Sequence, residues 1–289
     1  MTAASRGALL VALAACAWGS WSVFLRPVGL PPVVCSTLVF VMVALFSVPF
    51  FRLDPAPRWD RRTLALLAAF SVLDAVNVGT FFAAMDTTSV AVAVLTHSLA
   101  PLVVALAAPY VDGQRNPVAP KGALLALAGI VLVLRPWASG GQRGDVVLGA
   151  ALGSTSALAY AGNIFLARRL TPRLGAFRTM GLHAAGSALL LSPLALGQAT
   201  SVAGSDLAWL AGGAVLLGVG GNVAFARGLM VIGSARAAVL AFLEPLVACA
   251  IGWALWGEPL GGLAVTGAGM VLGAGILVTR AQEAPAGTG

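Results

Sequence analysis

The chain has 289 residues, 59% of them hydrophobic and only 9% charged, against roughly 25% charged in an ordinary soluble domain. A water-soluble fold of this size would lack the charge to cover its surface, so the composition excludes that class and points to a lipid bilayer. The net charge of +7 does not signal nucleic acid, because the basic residues lie in short gaps between apolar runs rather than on one stripe.

A helix of about 20 apolar residues crosses about 30 Å of hydrocarbon. Runs of that kind predict spans over 6–25, 32–51, 63–84, 88–110, 119–135, 146–167, 177–196, 207–229, 234–256 and 262–280. The first run begins like a secretory or lipoprotein signal, with Arg6 and then Leu13-Ala14-Ala15-Cys16. Its hydrophobicity continues through Trp18, Trp21 and Phe24 to Leu25, so it reads as a retained first span. The longest breaks, 52–62 and 135–145, collect Pro and Gly and are too short for a soluble domain. Cys16, Cys35 and Cys249 have no metal or redox spacing and read as small packing residues. The polar tail, 282–289, is expected to be disordered.

Ten spans place both termini on one side, and the charges test that count. One side receives Arg6, Arg52, Arg58, Arg61, Arg62, Arg115, Lys121, Arg168, Arg169, Arg173, Arg178, Arg227, Arg236 and Arg280. The other receives Arg26, Arg135 and Arg143. Basic residues gather in the cytoplasm, so fourteen against three predicts cytoplasmic termini.

A shift of 144 residues lays the second half of the chain on the first: SVAVAVLTHSLAP over 89–101 matches GSARAAVLAFLEP over 233–245. With one residue of slip, GALLALAGIVLVLR over 122–135 matches GAGMVLGAGILVTR over 267–280. The repeats are placed at 1–137 and 145–281. Five spans per half is an odd number, so the second half must enter the membrane from the opposite face. Inverted repeats of this kind build secondary transporters, with the solute site near the midplane.

These residues resemble a known family. Ala17-Trp18-Gly19, Ala237-Ala238-Val239-Leu240, Glu244-Pro245-Leu246-Val247 and Trp256-Gly257-Glu258-Pro259-Leu260 are similar to the motifs of EamA-type ten-helix transporters of the drug/metabolite transporter superfamily. The first copy departs from the pattern, with Gly113-Gln114 where an acid follows the glycine and Ala100 before Pro101. The resemblance covers nearly the whole chain. It implies a central cavity lined by spans one, three, four, six, eight and nine. It implies transport without naming a solute, since relatives export amino acids and other metabolites, take up sugars or choline, or exchange phosphorylated compounds.

A charge at mid-membrane costs about 2.5–3.5 kcal/mol on insertion scales and so needs a reason. Asp74, His97 and Glu244 all fall near mid-depth of their spans. Asn77 and Phe81 share the helical face of Asp74, and Ser71 extends it. Such a wet stripe reads as solute recognition or proton binding, or else as a buried pair joining two helices. Trp18 and Trp21 of the first span, Tyr160 and Asn163 of the sixth and Asn222 of the eighth complete the candidate lining. Trp18 reads equally as a lipid-interface anchor. Pro101 and Pro245 remove backbone donors and read as hinge or cavity-shaping residues. His183 matches nothing in the motifs and reads as a packing residue. Trp137, Trp253 and Trp256 read as interfacial.

Glycine clusters at 218–221 and 267–269 follow no strand, so they read as helix packing rather than nucleotide binding. Gly149/Gly153 and Gly269/Gly273 have the small-xxx-small spacing. Neither a cofactor nor a metal is expected, and no phosphate loop, HExxH or GxSxG occurs. The expectation is an all-α integral membrane protein of ten transmembrane helices in two inverted five-helix repeats. It would export a small amino-acid-like metabolite across a bacterial cytoplasmic membrane by alternating access. Its partners would be the solute and the bilayer, with proton coupling and oligomeric state left open. Import of a sugar or choline-like amine is the alternative, and an integral membrane enzyme is a remote one.

Overall fold

The computed structural model describes residues 1–113, 116–138, 144–198, 201–257 and 261–281. The motif residues Glu258, Pro259 and Leu260, the charges Arg115 and Arg143, Gln114, and the tail after Ala281 lie outside the described residues. Nine described helices are long and apolar enough to cross a membrane: α1 (Ala3–Leu25), α2 (Pro32–Leu53), α3 (Arg61–Thr87), α4 (Val90–Val111), α6 (Val146–Leu174), α7 (Ala176–Gly197), α8 (Gly204–Ile232), α9 (Ser234–Trp256) and α10 (Gly262–Arg280). The tenth, α5 (Ala119–Leu134), has 16 residues, about 24 Å at 1.5 Å per residue. Leucines such as Leu45, Leu64, Leu158, Leu189, Leu216 and Leu255 stand exposed on the outside, the reverse of a soluble protein and the surface that hydrocarbon requires.

The two halves interlock rather than lie side by side. α2 packs on α7, α4 on α9 and α5 on α10, so each of these helices touches its own repeat mate. α3 packs on α6 as α8 packs on α1, and α3 touches α7 as α8 touches α2. A two-fold pseudo-axis through the bundle accounts for every one of these pairs. Two connections are a single residue long, Gly175 between α6 and α7 and Gly233 between α8 and α9, with φ of 86° and 82°. L side chains avoid that region and glycine does not, which is why α6 and α8 run further than their apolar stretches suggest.

Two departures from regular helix fall in matching places. α4 is interrupted by a turn at Ser98 and Leu99, and α9 by one at Phe242, the same register under the 144-residue shift. Each break lies just before a proline, Pro101 or Pro245, which has no N–H for the carbonyl four residues back. α1 breaks at Ser20, and α8 widens into a π-helix over Ala214–Gly221. Segments of that kind cluster at functional sites.

Glycines set the close crossings. An added Cβ at Gly149 or Gly153 would overlap Thr88 or Thr96, and one at Gly129 or Gly267 would overlap the other's carbonyl oxygen. The expectation for Gly269/Gly273 is corrected, since both face open space; α10 turns Gly267, Val271, Ala274 and Val278 inward instead.

At the end of the bundle that bears most of the arginines, polar side chains tie the helices together. Asp112 at the end of α4 pairs with Arg168 of α6 at 3.0 Å and accepts from the Ser234 hydroxyl of α9. Asp54 accepts from the backbone N–H groups of Phe177 and Arg178 at the start of α7. Asp60 caps α3, accepting from the Thr63 N–H at 2.6 Å, and pairs with Arg173 at 2.9 Å. The Thr63 amide first, then the Thr63 hydroxyl and Arg173, hold its carboxyl down at about 2.

Two outcomes follow. Gly267→Val should lower the melting temperature in detergent, an overpacking cost of about 1–3 kcal/mol, whereas Gly269→Ala should leave it unchanged or raise it. Equal losses in the two variants would contradict the assigned crossing. For Asp60 the folded carboxyl lies below its ordinary value of 3.8. Its contribution is therefore complete above that value and is lost as pH falls toward about 2. Asp60→Asn should flatten the acid side of a melting-temperature profile across that window.

Candidate functional site

A cavity of about 410 Å³ lies at the pseudo-axis. Trp18, Asp74, Asn77, Phe81, His97, Tyr160, Asn163, Asn222 and Glu244 all line it. The two prolines do not; Pro101 is buried in α4, and both shape helices whose neighbouring residues, His97 and Glu244, face the space. The cavity tapers. Phe70, Ile164, Ala167, Met180, His183 and Phe225 form a buried floor toward the arginine-rich end. Leu25 at the end of α1 and Ser36 in the first turns of α2 are half-exposed at the opposite end. Among the described residues, the lining is therefore buried toward the arginine-rich end, where the Asp112–Arg168–Ser234 contacts lie, and half-exposed at the other.

Two polar systems face this space. In the first, Asp74 of α3 is held from two helices: Asn163 Nδ2 of α6 donates to Oδ1 at 3.1 Å and the Ser187 hydroxyl of α7 donates to Oδ2 at 3.2 Å. His183 Nε2 of α7 stands 3.3 Å from Oδ2. The His183 ring lies flat on Phe70, with centroids 4.0 Å apart and planes 7° apart, and its Nδ1 meets the Thr179 carbonyl at 3.1 Å. In the second system, His97 Nδ1 meets the Ser156 hydroxyl at 2.8 Å, and that hydroxyl donates to Asn77 Oδ1 at 2.7 Å. The His97 ring packs between Phe81 and Tyr160, with centroids 4.8 and 5.4 Å away. Among the described residues no hydrogen-bond partner faces the Glu244 carboxylate.

The first-helix motif has a structural reason. An added Cβ at Gly19 would overlap the Glu244 carbonyl oxygen, so glycine lets α1 touch α9 where α9 is broken. Trp18 beside it donates Nε1–H to Asn222 Oδ1 at 3.0 Å and packs on Phe225 at 4.9 Å. Trp18 thus sits inside the bundle rather than at a lipid interface. Asn222 follows the π segment directly.

Among the described residues that line the cavity, two polar atoms are buried without partners, the Tyr160 hydroxyl and Asn163 Oδ1. Both residues line the cavity, so a solute there would meet one free donor and one free acceptor. Among the described residues no Lys or Arg lines the space, and two acids do.

A family profile, described as the EamA-like transporter family, matches residues 5–135 and again 147–280. The chain belongs to the EamA-like transporter family. An uncharacterized transporter of Archaeoglobus fulgidus is 33% identical over 277 residues, covering 94% of this chain and 95% of that protein. A crystal structure with 19% identity superposes at a TM-score of 0.80 over 94% of this chain and 98% of the other, which speaks for the fold alone. The two profile matches fall on the two halves that the geometry relates, so this EamA-like chain is a multi-pass membrane transporter with a duplicated helical unit.

The sequence pointed to His97 and Asp74 but set His183 aside, and it did not single out Ser156, Ser187, Phe70 or Phe225. A histidine inside a span whose other charge, Arg178, stays in the first turn was the available signal for His183. Ser187, one helical turn beyond it, marks the same face.

A cysteine test checks the taper. In a background lacking Cys16, Cys35 and Cys249, Ser36→Cys should react with a membrane-impermeant maleimide applied at the end away from the arginine clusters, and Met180→Cys should resist it. Rapid labelling of Met180→Cys from the arginine-rich end would contradict the closed floor.

Proposed function

We propose that this transporter carries a small amine-bearing metabolite outward across a bacterial cytoplasmic membrane by alternating access, with both termini in the cytoplasm. The observation that carries the solute class is the lining. Asp74 and Glu244 supply negative charge, no basic residue offers to hold a solute anion, and the rings of Trp18, Phe81, Tyr160 and Phe225 surround the space. An ammonium group gains from a carboxylate and from aromatic faces together. Glu244 is the counter-ion in this reading, because Asp74 is already engaged by Asn163, Ser187 and His183. Tyr160 and Asn163 supply the polar contacts that orient the solute's other end, which fits an amino-acid-like body whose acid is neutralised or esterified better than a free dicarboxylate.

Alternating access is supported by the interlocked halves and by the cavity's single described opening. Exposure to the other side would require breaking the Asp112–Arg168 pair and bending α4 and α9 at their matched turns, the part assigned to Pro101 and Pro245. The fourteen-to-three split of basic residues supports the orientation. The four rings favour one further reading, uptake of a quaternary, choline-like amine, since such a cation is recognised by ring faces rather than by donors and acceptors.

Purified protein in liposomes decides between these. A radiolabelled primary amine such as an amino-acid ester should cross, and a dicarboxylate should not. Glu244→Gln should lower amine flux about tenfold, equivalent to about 1.4 kcal/mol of lost stabilisation. Unchanged flux in Glu244→Gln would remove Glu244 from the solute site. Flux of choline but not of primary amines, in the inward direction only, would establish the uptake reading.

A further inference from the structure

We infer that Asp74 and His183 share a single proton and form the proton-binding site of this protein. His183 Nδ1 meets the Thr179 carbonyl oxygen at 3.1 Å. A carbonyl only accepts, so Nδ1 must carry hydrogen. A neutral imidazole then has a bare lone pair at Nε2, and Nε2 stands 3.3 Å from Asp74 Oδ2. An ionised carboxylate also presents only lone pairs. The contact therefore needs one proton, held either as an imidazolium facing a carboxylate or as a neutral imidazole accepting from a carboxylic acid.

The setting makes that proton matter. Both residues are buried, and Phe70 covers one face of the ring. Water cannot intervene cheaply there to separate two opposed lone pairs. Asp74 lies on α3 of the first half and His183 on α7 of the second, so the proton bridges the halves across one of their seams. Ser187 adds a second tie in the same place, with its hydroxyl near Asp74 Oδ2 and the Ser71 carbonyl. Loss of the proton turns the tie into a repulsion, which is relieved when α7 withdraws from α3 or the ring abandons Thr179. The other ionisable groups facing this cavity are His97 of α4, Tyr160 of α6 and Glu244 of α9. His97 is turned to Ser156, and Glu244 is left open for the solute.

The charge balance gives an exchange. An ammonium entering beside Glu244 adds one positive charge to the cavity, and the proton leaving the Asp74–His183 pair removes one. Solute and proton then occupy the cavity in turn, and each favours a different state of the α3–α7 seam. This coupling step rests on the transport reading above; the shared proton itself does not.

The full chain, ¹⁵N-labelled at histidine and held in nanodiscs, tests the proton directly. His97→Gln leaves His183 as the one remaining histidine. Nδ1 should be protonated, and the Nε2 resonance should show a proton shared with the Asp74 carboxyl. Asp74→Asn keeps the shape and lets the amide donate to Nε2, so the protein should stay folded while the Nε2 resonance moves to that of a neutral ring accepting a hydrogen bond. An Nε2 lone pair with no bound or shared proton from pH 5 to 8, unaffected by Asp74→Asn, would overturn the inference. In liposomes, a pH gradient should accelerate amine flux through the wild type and leave flux through Asp74→Asn and His183→Gln unaltered. Full retention of the gradient response in both variants would refute the coupling. If no amine crosses but the shared proton is observed, the solute assignment fails and the proton site stands.

Discussion

Where α5 crosses α10, the carbonyl of Gly129 occupies the space a Gly267 Cβ would need, and the carbonyl of Gly267 occupies the space for a Gly129 Cβ. Lipid tails are as apolar as leucine, so helices in a bilayer gain little from hiding hydrophobic surface and associate through close packing and polar contacts instead. The remaining seams follow the same rule. Gly149 and Gly153 admit Thr88 and Thr96, Gly7 and Gly228 bring α1 against α8, and Gly181 and Gly186 bring α7 against Ser47 and Ser71. Nearly all of these contacts join one half of the chain to the other. The interlocked arrangement is therefore what holds the helices in place, and it also leaves an axial space where large side chains from both halves meet.

That space inherits its chemistry from the breaks. A continuous helix satisfies its own backbone and offers a ligand only side chains. Turns at Ser98–Leu99 and at Phe242, the π segment of α8 and the step in α1 at Ser20 all lie beside the cavity. They allow Trp18, His97 and Glu244 to project inward from helices whose other faces are packed. The symmetry is incomplete at the cavity. The first copy of the broken helix has His97 and Ala100, and the second has Ala241 and Glu244. One half thus contributes an imidazole tied to Ser156 and the other an open carboxylate.

The two ends of the bundle are built differently as well. The arginine-rich end is laced by polar contacts in which Asp54 accepts from the Arg178 amide, Asp60 pairs with Arg173 and Asp112 with Arg168, beyond the apolar floor of the cavity. Polar clasps of this type exchange protein partners for water at little net cost when they open. A packed apolar plug would lose its contacts outright. The same reasoning makes the Asp74–His183 seam a sensitive point, because it is a polar tie between the halves beside the cavity.

Much of this was legible in the amino-acid sequence. Span length, the charge split and the 144-residue shift determined a ten-helix, twice-five architecture, because hydrocarbon thickness fixes helix length and an odd repeat must invert. Depth within a span sufficed to single out Asp74, His97 and Glu244, since a charge in lipid needs a partner or a task. What only the tertiary structure decided is which helices meet. Periodicity gives the face of a helix but not its neighbour, so Gly269 and Gly273 showed the packing spacing while Gly267 makes the contact. For the same reason His183 looked like an isolated packing residue until α7 was seen against α3, where the direction of one ring nitrogen toward Thr179 leaves the other facing Asp74.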